Sequence, residues 1–173
     1  MMKKIKEGLS QANNVNKKLI SKLYTSLIEK IIKILIKSIR SGGKVIFCGN
    51  GGSASDSLHL AAELIGRFKK KRKAISAISL NSEISTITAI ANDFGYEEIF
   101  SRQLFALAKK EDLLILISTS GRSKNILNAI DSAKKIGVKT IAFFGINGAK
   151  VANKCDHSIN IKSTNTARIQ EMQ

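Results

Sequence analysis

Hydrophobic residues in the first 41 positions recur at steps of three and four, which places them on one face of a helix. The pattern predicts a short polar helix over residues 3–14 and a longer helix over residues 16–41. The apolar stripe of the longer helix consists of Ile20, Leu23, Leu27, Ile31, Ile34, Leu35 and Ile39. Three further isoleucines, Ile28, Ile32 and Ile36, widen the stripe beyond one packing surface. We therefore expect this helix to be buried on two sides, against its own sheet and against another subunit.

From residue 44 onwards, short apolar runs alternate with helical patterns. The runs KVIFC, AISAIS, LLILIS and VKTIAFF are typical of strands that are covered on both faces. Strands are predicted over residues 44–48, 74–79, 113–118, 138–144 and 157–161. Helices are predicted over residues 54–65, 84–91, 97–109 and 123–136, with a short one near 148–153. Strands separated by helices imply βαβ units and a parallel sheet. The predicted fold is an α/β three-layer sandwich with a five-stranded, mainly parallel sheet and N-terminal helices.

Length and composition narrow the class of protein. A chain of 173 residues suits one domain, and 43% hydrophobic with 24% charged residues is ordinary globular composition. The two cysteines, Cys48 and Cys155, cannot form a disulfide framework and indicate a reducing compartment. No apolar run approaches the roughly 18 residues that span a bilayer, and the polar N-terminus is unlike a secretory signal. We expect a soluble cytoplasmic protein, with Cys48 a buried strand residue.

The formal net charge of +16 admits two interpretations. Ten lysines and arginines against two glutamates fall within residues 1–40, and six more form the run RFKKKRK at residues 67–73. One interpretation is an electrostatic footprint for nucleic acid or another anionic partner. The other is a set of solvated helix faces and a basic loop. No nucleic-acid motif or interleaved aromatic residues accompany the charge, which favours the second. A positive field would still attract a phosphorylated substrate.

Two predicted strands end in small polar residues, at the edge where open α/β sheets bind ligands. The first segment is Gly49–Ser55 and the second is Ser118-Thr119-Ser120-Gly121-Arg122-Ser123. Neither segment matches a nucleotide-binding signature. Hydroxyl groups beside the N-terminus of helix 123–136 suit a phosphate. One of them is enough to cap the helix, so four favour phosphate binding over capping alone.

His59 and Glu63 lie four residues apart on helix 54–65 and therefore share a face. An imidazole and a carboxylate suit zinc, which needs further ligands, or general acid/base chemistry. A surface hydrogen bond or a satisfied core histidine explains the pair equally well. Asn92-Asp93-Phe94-Gly95, which closes helix 84–91, either contributes polar groups to the same cleft or is a simple helix stop.

Taken together, these segments resemble the sugar isomerase (SIS) family, in particular its bacterial phosphoheptose isomerases. The matching stretches are CGNGGSASDSLHLAAELIGRF, ITAIANDFGYEEIFSRQ, ISTSGRSKNILNAI and TARIQEM, in the family's order along nearly the whole chain. The resemblance implies the SIS α/β sandwich over residues 42–173, with helices 1–41 used in packing and oligomerisation. It also implies a homotetramer with active sites at subunit contacts.

The family's reaction converts sedoheptulose 7-phosphate into D-glycero-D-manno-heptose 7-phosphate, on the route to the heptose of lipopolysaccharide. By resemblance, the sugar contacts Asn50, Gly51 and Gly52, with Ser53 and Ser55 nearby. Asn92 and Asp93 line the substrate site, and Ser118, Thr119, Ser120 and Ser123 hold the phosphate. His59, Glu63 and Gln170 match zinc ligands, with Glu63 and Gln170 also counted as substrate contacts. Glu63 matches the acid/base group.

The resemblance has one departure and leaves one alternative. After Arg168-Ile169-Gln170-Glu171 the family continues into a long helix that carries a second histidine, the fourth metal ligand. This chain stops at Gln173, and His157 precedes the motif, so the resemblance implies that this helix is truncated and the fourth ligand missing. The alternative is a non-enzymatic SIS relative that binds the DnaA replication initiator. A sugar-phosphate sensor is a weaker alternative, because the helix-turn-helix that usually accompanies it is absent.

Overall fold

A computed structural model describes residues 1–173. The helices are α1 Met2–Leu19, α2 Lys22–Arg40, α3 Gly52–Ile65, α4 Ile84–Phe94, α5 Ser101–Leu107, α6 Lys124–Ile136, α7 Ala149–Ala152 and α8 Thr166–Met172. The strands are β1 Val45–Gly49, β2 Ala77–Ser79, β3 Leu113–Ser118, β4 Lys139–Gly145 and β5 His157–Ile161. Short 3-10 turns cover Tyr96–Glu98 and Ile146–Gly148.

The five strands form one sheet in the order β2-β1-β3-β4-β5, and every neighbouring pair is parallel. The chain runs outward from β1 to β2 and then crosses back to place β3 on the other side of β1. The sheet therefore reverses its direction of growth between β1 and β3. In open α/β sheets the crevice at such a switch point, beyond the carboxyl ends of the strands, is where ligands bind.

Alternate residues of the strands supply two hydrophobic clusters, one on each face of the sheet. On one face, Ile46, Leu114 and Phe144 contribute to a cluster with residues of α5 and α6 such as Leu104 and Ile130. The other face, which includes Val45, Ile115 and Ile141, forms its cluster with residues of α1, α2, α3 and α8. The predicted three-layer sandwich is confirmed, and Cys48 is fully buried in β1 as expected.

Several predicted boundaries were wrong. The break between the first two helices falls at residues 20–21, not near residue 15, because Val15 is buried within α1 and packs into the second cluster. Helix 84–91 continues to Phe94, so Asn92 and Asp93 belong to its last turn. The predicted helix 97–109 is a 3-10 turn followed by the short helix α5.

The broad apolar stripe of the N-terminal helices is only partly covered within the chain. Tyr24 and Ile31 are buried in the second cluster. The large hydrophobic side chains that are exposed on α2 are Leu23, Ile28, Ile32 and Ile36, and Ile20 is exposed just before the helix. We expected α2 to be covered on two sides. Its second apolar side has no partner within the chain. No helix combines the length and apolar character needed to cross a membrane.

Asp112 joins the starts of β1 and β3 at the edge of the sheet opposite the switch-point crevice. Its carboxylate accepts hydrogen bonds from the backbone N–H of Lys44 at 2.8 Å, the Lys44 ammonium at 2.5 Å and the N–H of Lys109 at 2.8 Å. Burial would raise the pKa of Asp112, but the bonds from Lys44 and Lys109 outweigh burial and hold the pKa below its ordinary value.

We expect Asp112→Asn to lower the free energy of unfolding by about 1 to 3 kcal/mol at neutral pH. A carboxyl with a lowered pKa stabilises the fold above its unfolded-state pKa, and this contribution is lost as the pH falls through the folded-state pKa. The difference between wild type and Asp112→Asn should therefore shrink as the pH falls below the ordinary aspartate pKa of about 3.9. Urea unfolding across this pH range measures it, with the exposed Asp131→Asn as control. A difference that persists undiminished in acid would contradict the assignment.

Candidate active site

The polar segments predicted from the sequence meet at the carboxyl edge of the sheet, around the switch point. Gly49 ends β1 and Ser118 ends β3, and these two strands are direct neighbours, with Gly49 paired to Ile117. The Gly49–Ser55 segment and the Ser118–Ser123 loop therefore leave adjacent strands at the same edge. This geometry agrees with the expectation that both contribute to one crevice.

The glycine turn carries the chain sharply from β1 into α3. Gly51 has φ +58° and ψ −123°, a conformation that side chains rarely adopt. Gly49 allows the backbone of Ser53 to approach, because an added Cβ at residue 49 would lie 2.5 Å from the Ser53 carbonyl oxygen. The side-chain amide of Asn81 bonds to both backbone groups of Gly49. It accepts from the Gly49 N–H at 3.1 Å and donates to the Gly49 carbonyl at 2.9 Å.

The Asn50 side chain is held from two sides. Its amide exchanges two hydrogen bonds of 2.9 Å with the amide of Asn125 on α6. The hydroxyl of Tyr96, after α4, also donates to Asn50 Oδ1 at 2.9 Å. Asn50 therefore connects the glycine turn to two other segments of the crevice.

The Ser118–Ser123 loop has hydroxyls that its helix does not use for capping. Ser123 occupies the N-cap position of α6 but makes no side-chain capping bond. The hydroxyls of Ser118 and Ser120 accept from the N–H groups of Gly121 and Arg122, at 3.1 and 3.2 Å, which shapes the loop. Thr119 contributes its carbonyl, which accepts from the Gly145 N–H at 3.2 Å and ties the loop to the end of β4.

His59 and Glu63 line a cavity of about 470 Å³ between α2, α3 and the sheet. His59 Nε2 lies 3.7 Å from Glu63 Oε1. Glu63 Oε2 is buried and has no hydrogen-bond partner. This oxygen is therefore available to a partner from outside the chain.

The remaining residues expected on α3 and α8 separate into two groups. Gln170 places its amide against Gly52, where any side chain at residue 52 would collide with it. Ser53 is buried, and its hydroxyl lies 3.5 Å from Gln173 Oε1. Gln173 reaches the cavity of His59 and Glu63, whereas Gln170 lines a neighbouring one with Asp56. Ser55 is exposed on the first turns of α3.

Asn92 and Asp93 are exposed on the last turn of α4 and bond to each other, with Asn92 Nδ2 donating to Asp93 Oδ1 at 2.8 Å. Tyr96, which follows them along the chain, is the residue of this segment that bonds to the glycine turn. Neither side chain contacts the glycine turn directly through a hydrogen bond.

The basic run at residues 67–73 lies beside the cavity of His59 and Glu63. Phe68 and Arg72 are among the lining residues. The Arg72 guanidinium donates to the carbonyls of Glu63 and Leu64 at 2.6 and 2.8 Å, at the end of α3. The Arg72 charge is therefore fixed at the backbone that ends α3.

Sequence reasoning missed Asn81, Tyr96 and Asn125. Asn81 follows the carboxyl end of β2, so the rule that strand ends carry site residues could have identified it. Asn125 lies inside a matching stretch, but its pattern is that of an ordinary polar helix position. Tyr96 lies inside a matching stretch but has no chemical signal of its own.

Comparison with known proteins identifies the family. The SIS domain profile matches residues 9–145, most of the chain. The chain belongs to the SIS domain family. Among curated relatives of this SIS domain protein, the phosphoheptose isomerase of Helicobacter pylori (strain P12) is 48% identical over 167 residues, covering 96% of this chain and 86% of the relative.

Solved structures support the same placement. The phosphoheptose isomerase of Francisella tularensis superposes on this SIS domain with a TM-score of 0.93 at 33% identity, covering 99% of this chain and 91% of that one. That of Neisseria gonorrhoeae gives a TM-score of 0.91 at 32% identity, with the same two coverages. These likenesses place the chain among the phosphosugar isomerases of the SIS domain family.

Proposed function

We propose that this SIS domain protein interconverts sedoheptulose 7-phosphate and D-glycero-D-manno-heptose 7-phosphate. The observation that carries the proposal is the unpaired Oε2 of Glu63, a residue that lines the cavity between α2, α3 and the sheet. The identity of 48% to a relative named phosphoheptose isomerase supports the choice of substrate. Supply of heptose for lipopolysaccharide is the pathway role that we propose with it.

Glu63 is the proposed acid/base group. Conversion of the ketose to the aldose moves a proton from C1 to C2 through an enediol. The Glu63 carboxylate accepts the C1 proton and returns it to C2, while the hydroxyl proton on O1 is lost as O2 gains one. A base that returns its proton serves both half-reactions. The low polarity of the cavity walls strengthens electrostatic interactions with the enediolate.

His59 and Glu63 are the proposed zinc ligands, with Gln170 as the third. The imidazole and carboxylate are adjacent, and the orphaned Glu63 Oε2 is a donor without another use, so the pair fits two ligand positions. The Gln170 amide lies against Gly52, about two helical turns along α3 from His59, so the structure does not bring it to the pair. When bound, zinc would supply a Lewis acid that polarises the substrate oxygens at C1 and C2.

The Ser118–Ser123 loop is the proposed phosphate site. The N–H groups of Lys124 and Asn125, in the first turn of α6, donate to no other group of the chain. Together with the Ser123 hydroxyl, they are available to phosphate oxygens at the positive end of the helix dipole. Phosphate held there orients the sugar and contributes binding energy to the proton transfer at C1 and C2.

The sugar is proposed to lie between the glycine turn and the ends of α4 and α8. Asn50, Gly51, Gly52, Ser53, Ser55, Asn92, Asp93 and Gln170 are the residues that we assign to it. The approach of the Gln170 amide to Gly52 narrows this region from the α8 side.

Assembly into a homotetramer is proposed from the uncovered apolar surface of α2. Exposed isoleucines such as Ile28, Ile32 and Ile36 form one stripe, and stripes of this kind mark contacts between chains. Sedimentation equilibrium should give the mass of four chains, and a monomer at micromolar concentration would refute the assembly.

The direct experiment incubates the full chain with sedoheptulose 7-phosphate and follows the aldose by NMR. The protein is first treated with a chelator and then assayed with and without added zinc. We expect conversion that depends on zinc, with metal retained by wild type and weakened in His59→Ala. No conversion under either condition would refute the isomerase. Capture of the DnaA initiator by an inactive chain would support the non-enzymatic alternative.

A further inference from the structure

The side chain of Asn50 is fixed by the side chains of two residues, and the proposed chemistry uses neither side chain. Asn50 Nδ2 donates to Asn125 Oδ1 and Asn125 Nδ2 donates to Asn50 Oδ1, both at 2.9 Å. Tyr96 donates a third bond of 2.9 Å to Asn50 Oδ1. We propose that Asn125 and Tyr96 are positioning residues, which set the orientation of Asn50 for the substrate. This inference rests on the proposed isomerase function.

The network uses three of the four hydrogen bonds that the Asn50 amide can make. An asparagine amide offers two N–H donors and an oxygen that accepts two bonds. The oxygen of Asn50 is saturated by Asn125 and Tyr96, and one of its two N–H groups is engaged by Asn125. One N–H remains. The network therefore makes Asn50 a donor towards the crevice, suited to a sugar oxygen or to negative charge that develops on it.

The anchor of the network is rigid. Asn125 is 1% exposed and lies on α6, whose neighbouring residues Ile126 and Ala129 belong to the hydrophobic core. Asn50 is thus held by a buried residue of a helix that packs into the core, and not by its own turn alone. A buried amide whose partners are satisfied also avoids the free-energy penalty of desolvation.

The network joins three segments of the crevice. Asn50 belongs to the glycine turn after β1, Tyr96 to the connection after α4, and Asn125 to the helix that follows the phosphate loop. Tyr96 follows Gly95, whose φ of +94° turns the chain from the end of α4. Displacement of one loop would therefore change the position of the others through Asn50.

Tyrosine substitutions give a matched test, because the chain has two tyrosines. Tyr96→Phe removes the hydroxyl at an exposed position, 57% accessible, so the fold should persist. Tyr24→Phe removes the other phenol bond, which joins Tyr24 to the Asn160 carbonyl at 2.6 Å, outside the network. The two variants are compared for thermal stability, kcat and KM towards sedoheptulose 7-phosphate.

We expect Tyr96→Phe to lower kcat about tenfold with KM changed less than about twofold, because orientation is lost while phosphate binding stays. Tyr24→Phe should leave both constants within about twofold of wild type. A double-mutant cycle then tests whether Tyr96 acts through Asn50. In an Asn50→Ala background, Tyr96→Phe should change kcat less than about twofold.

Asn125→Asp supplies a second, nearly isosteric variant. It keeps an acceptor for Asn50 Nδ2 but replaces the donated bond to Asn50 Oδ1 with repulsion between oxygens. We expect about a hundredfold loss of kcat, since a small misplacement can cost that much. A folded Asn125→Asp variant with wild-type kcat would overturn the proposal.

The outcomes separate this inference from the proposed function. If wild type is active and Tyr96→Phe matches Tyr24→Phe, the positioning role fails and the isomerase stands. If the Tyr96 effect is the same in the Asn50→Ala background, Tyr96 does not act through Asn50 and the proposal also fails. An inactive wild type removes the proposed function, and the positioning role with it.

Discussion

Replacing Glu63 with glutamine is expected to reduce kcat by about a thousandfold, within the range of 10² to 10⁴ for general acid/base groups. The amide keeps the size of the side chain but cannot accept and return a proton. Glu63 Oε2 makes no hydrogen bond, so the substitution breaks none there and should leave the fold intact. The measurement is steady-state isomerisation followed by NMR, with the melting temperature as a check on folding.

Glu111→Gln is the control for this prediction. Glu111 lies next to Asp112 at the opposite edge of the sheet, in a surface pair with Lys110 at 3.8 Å. Its replacement should leave kcat within about twofold of wild type, because exposed ion pairs contribute little. A Glu63→Gln variant that retains more than a tenth of the wild-type rate would exclude Glu63 as the base.

The second large effect is expected at Gly121, inside the proposed phosphate loop. Its φ is +63°, and an added Cβ would lie 2.6 Å from the Cα of Gly148. Gly121→Ala therefore combines left-handed backbone strain with a collision against backbone that cannot yield easily. We expect a loss of about 2 to 4 kcal/mol in the free energy of unfolding. Displacement of the loop should also raise KM by about tenfold or more.

Gly42→Ala separates the effect of backbone strain from the effect of steric collision. Gly42 has a similar φ of +80°, but nothing lies within 4 Å of its added Cβ. Its replacement should show the backbone strain alone, about 1 to 2 kcal/mol, with KM unchanged. Urea unfolding and KM for both variants make the comparison. Equal stability and equal KM would mean that contact between Gly121 and Gly148 does not shape the loop.

Much of the sheet could be predicted from hydrophobic patterning. Strands β3 and β5 occupy the predicted ranges 113–118 and 157–161. Strand β2 was predicted over residues 74–79 and forms only at Ala77–Ser79. Its neighbour β1 begins at Val45, which pairs with Ala77, so residues 74–76 precede the start of the adjacent strand. An apolar pattern indicates that a strand can form, whereas the length of the strand depends on the neighbouring strand with which it pairs.

The parts of the candidate site that consist of neighbouring residues in the sequence could be predicted. The glycine turn and the serine loop could be found because both follow apolar strands of a parallel sheet. The pairing of Asn50 with Asn125 spans 75 residues and depends on how α6 packs against β3 and β4. Gln170 was expected beside His59 and Glu63, and the structure instead places its amide against Gly52. Its role as a ligand stays a prediction.

The central claim is that Glu63 transfers a proton between C1 and C2 of a phosphorylated heptose. The most direct measurement incubates wild type and Glu63→Gln with sedoheptulose 7-phosphate in D₂O and analyses the product by NMR and mass spectrometry. The Glu63 side chain is 31% exposed, so its acquired proton can exchange with solvent before return. We predict aldose with deuterium at C2 from wild type and almost no product from Glu63→Gln. Equal amounts of product from wild type and Glu63→Gln would contradict this role for Glu63.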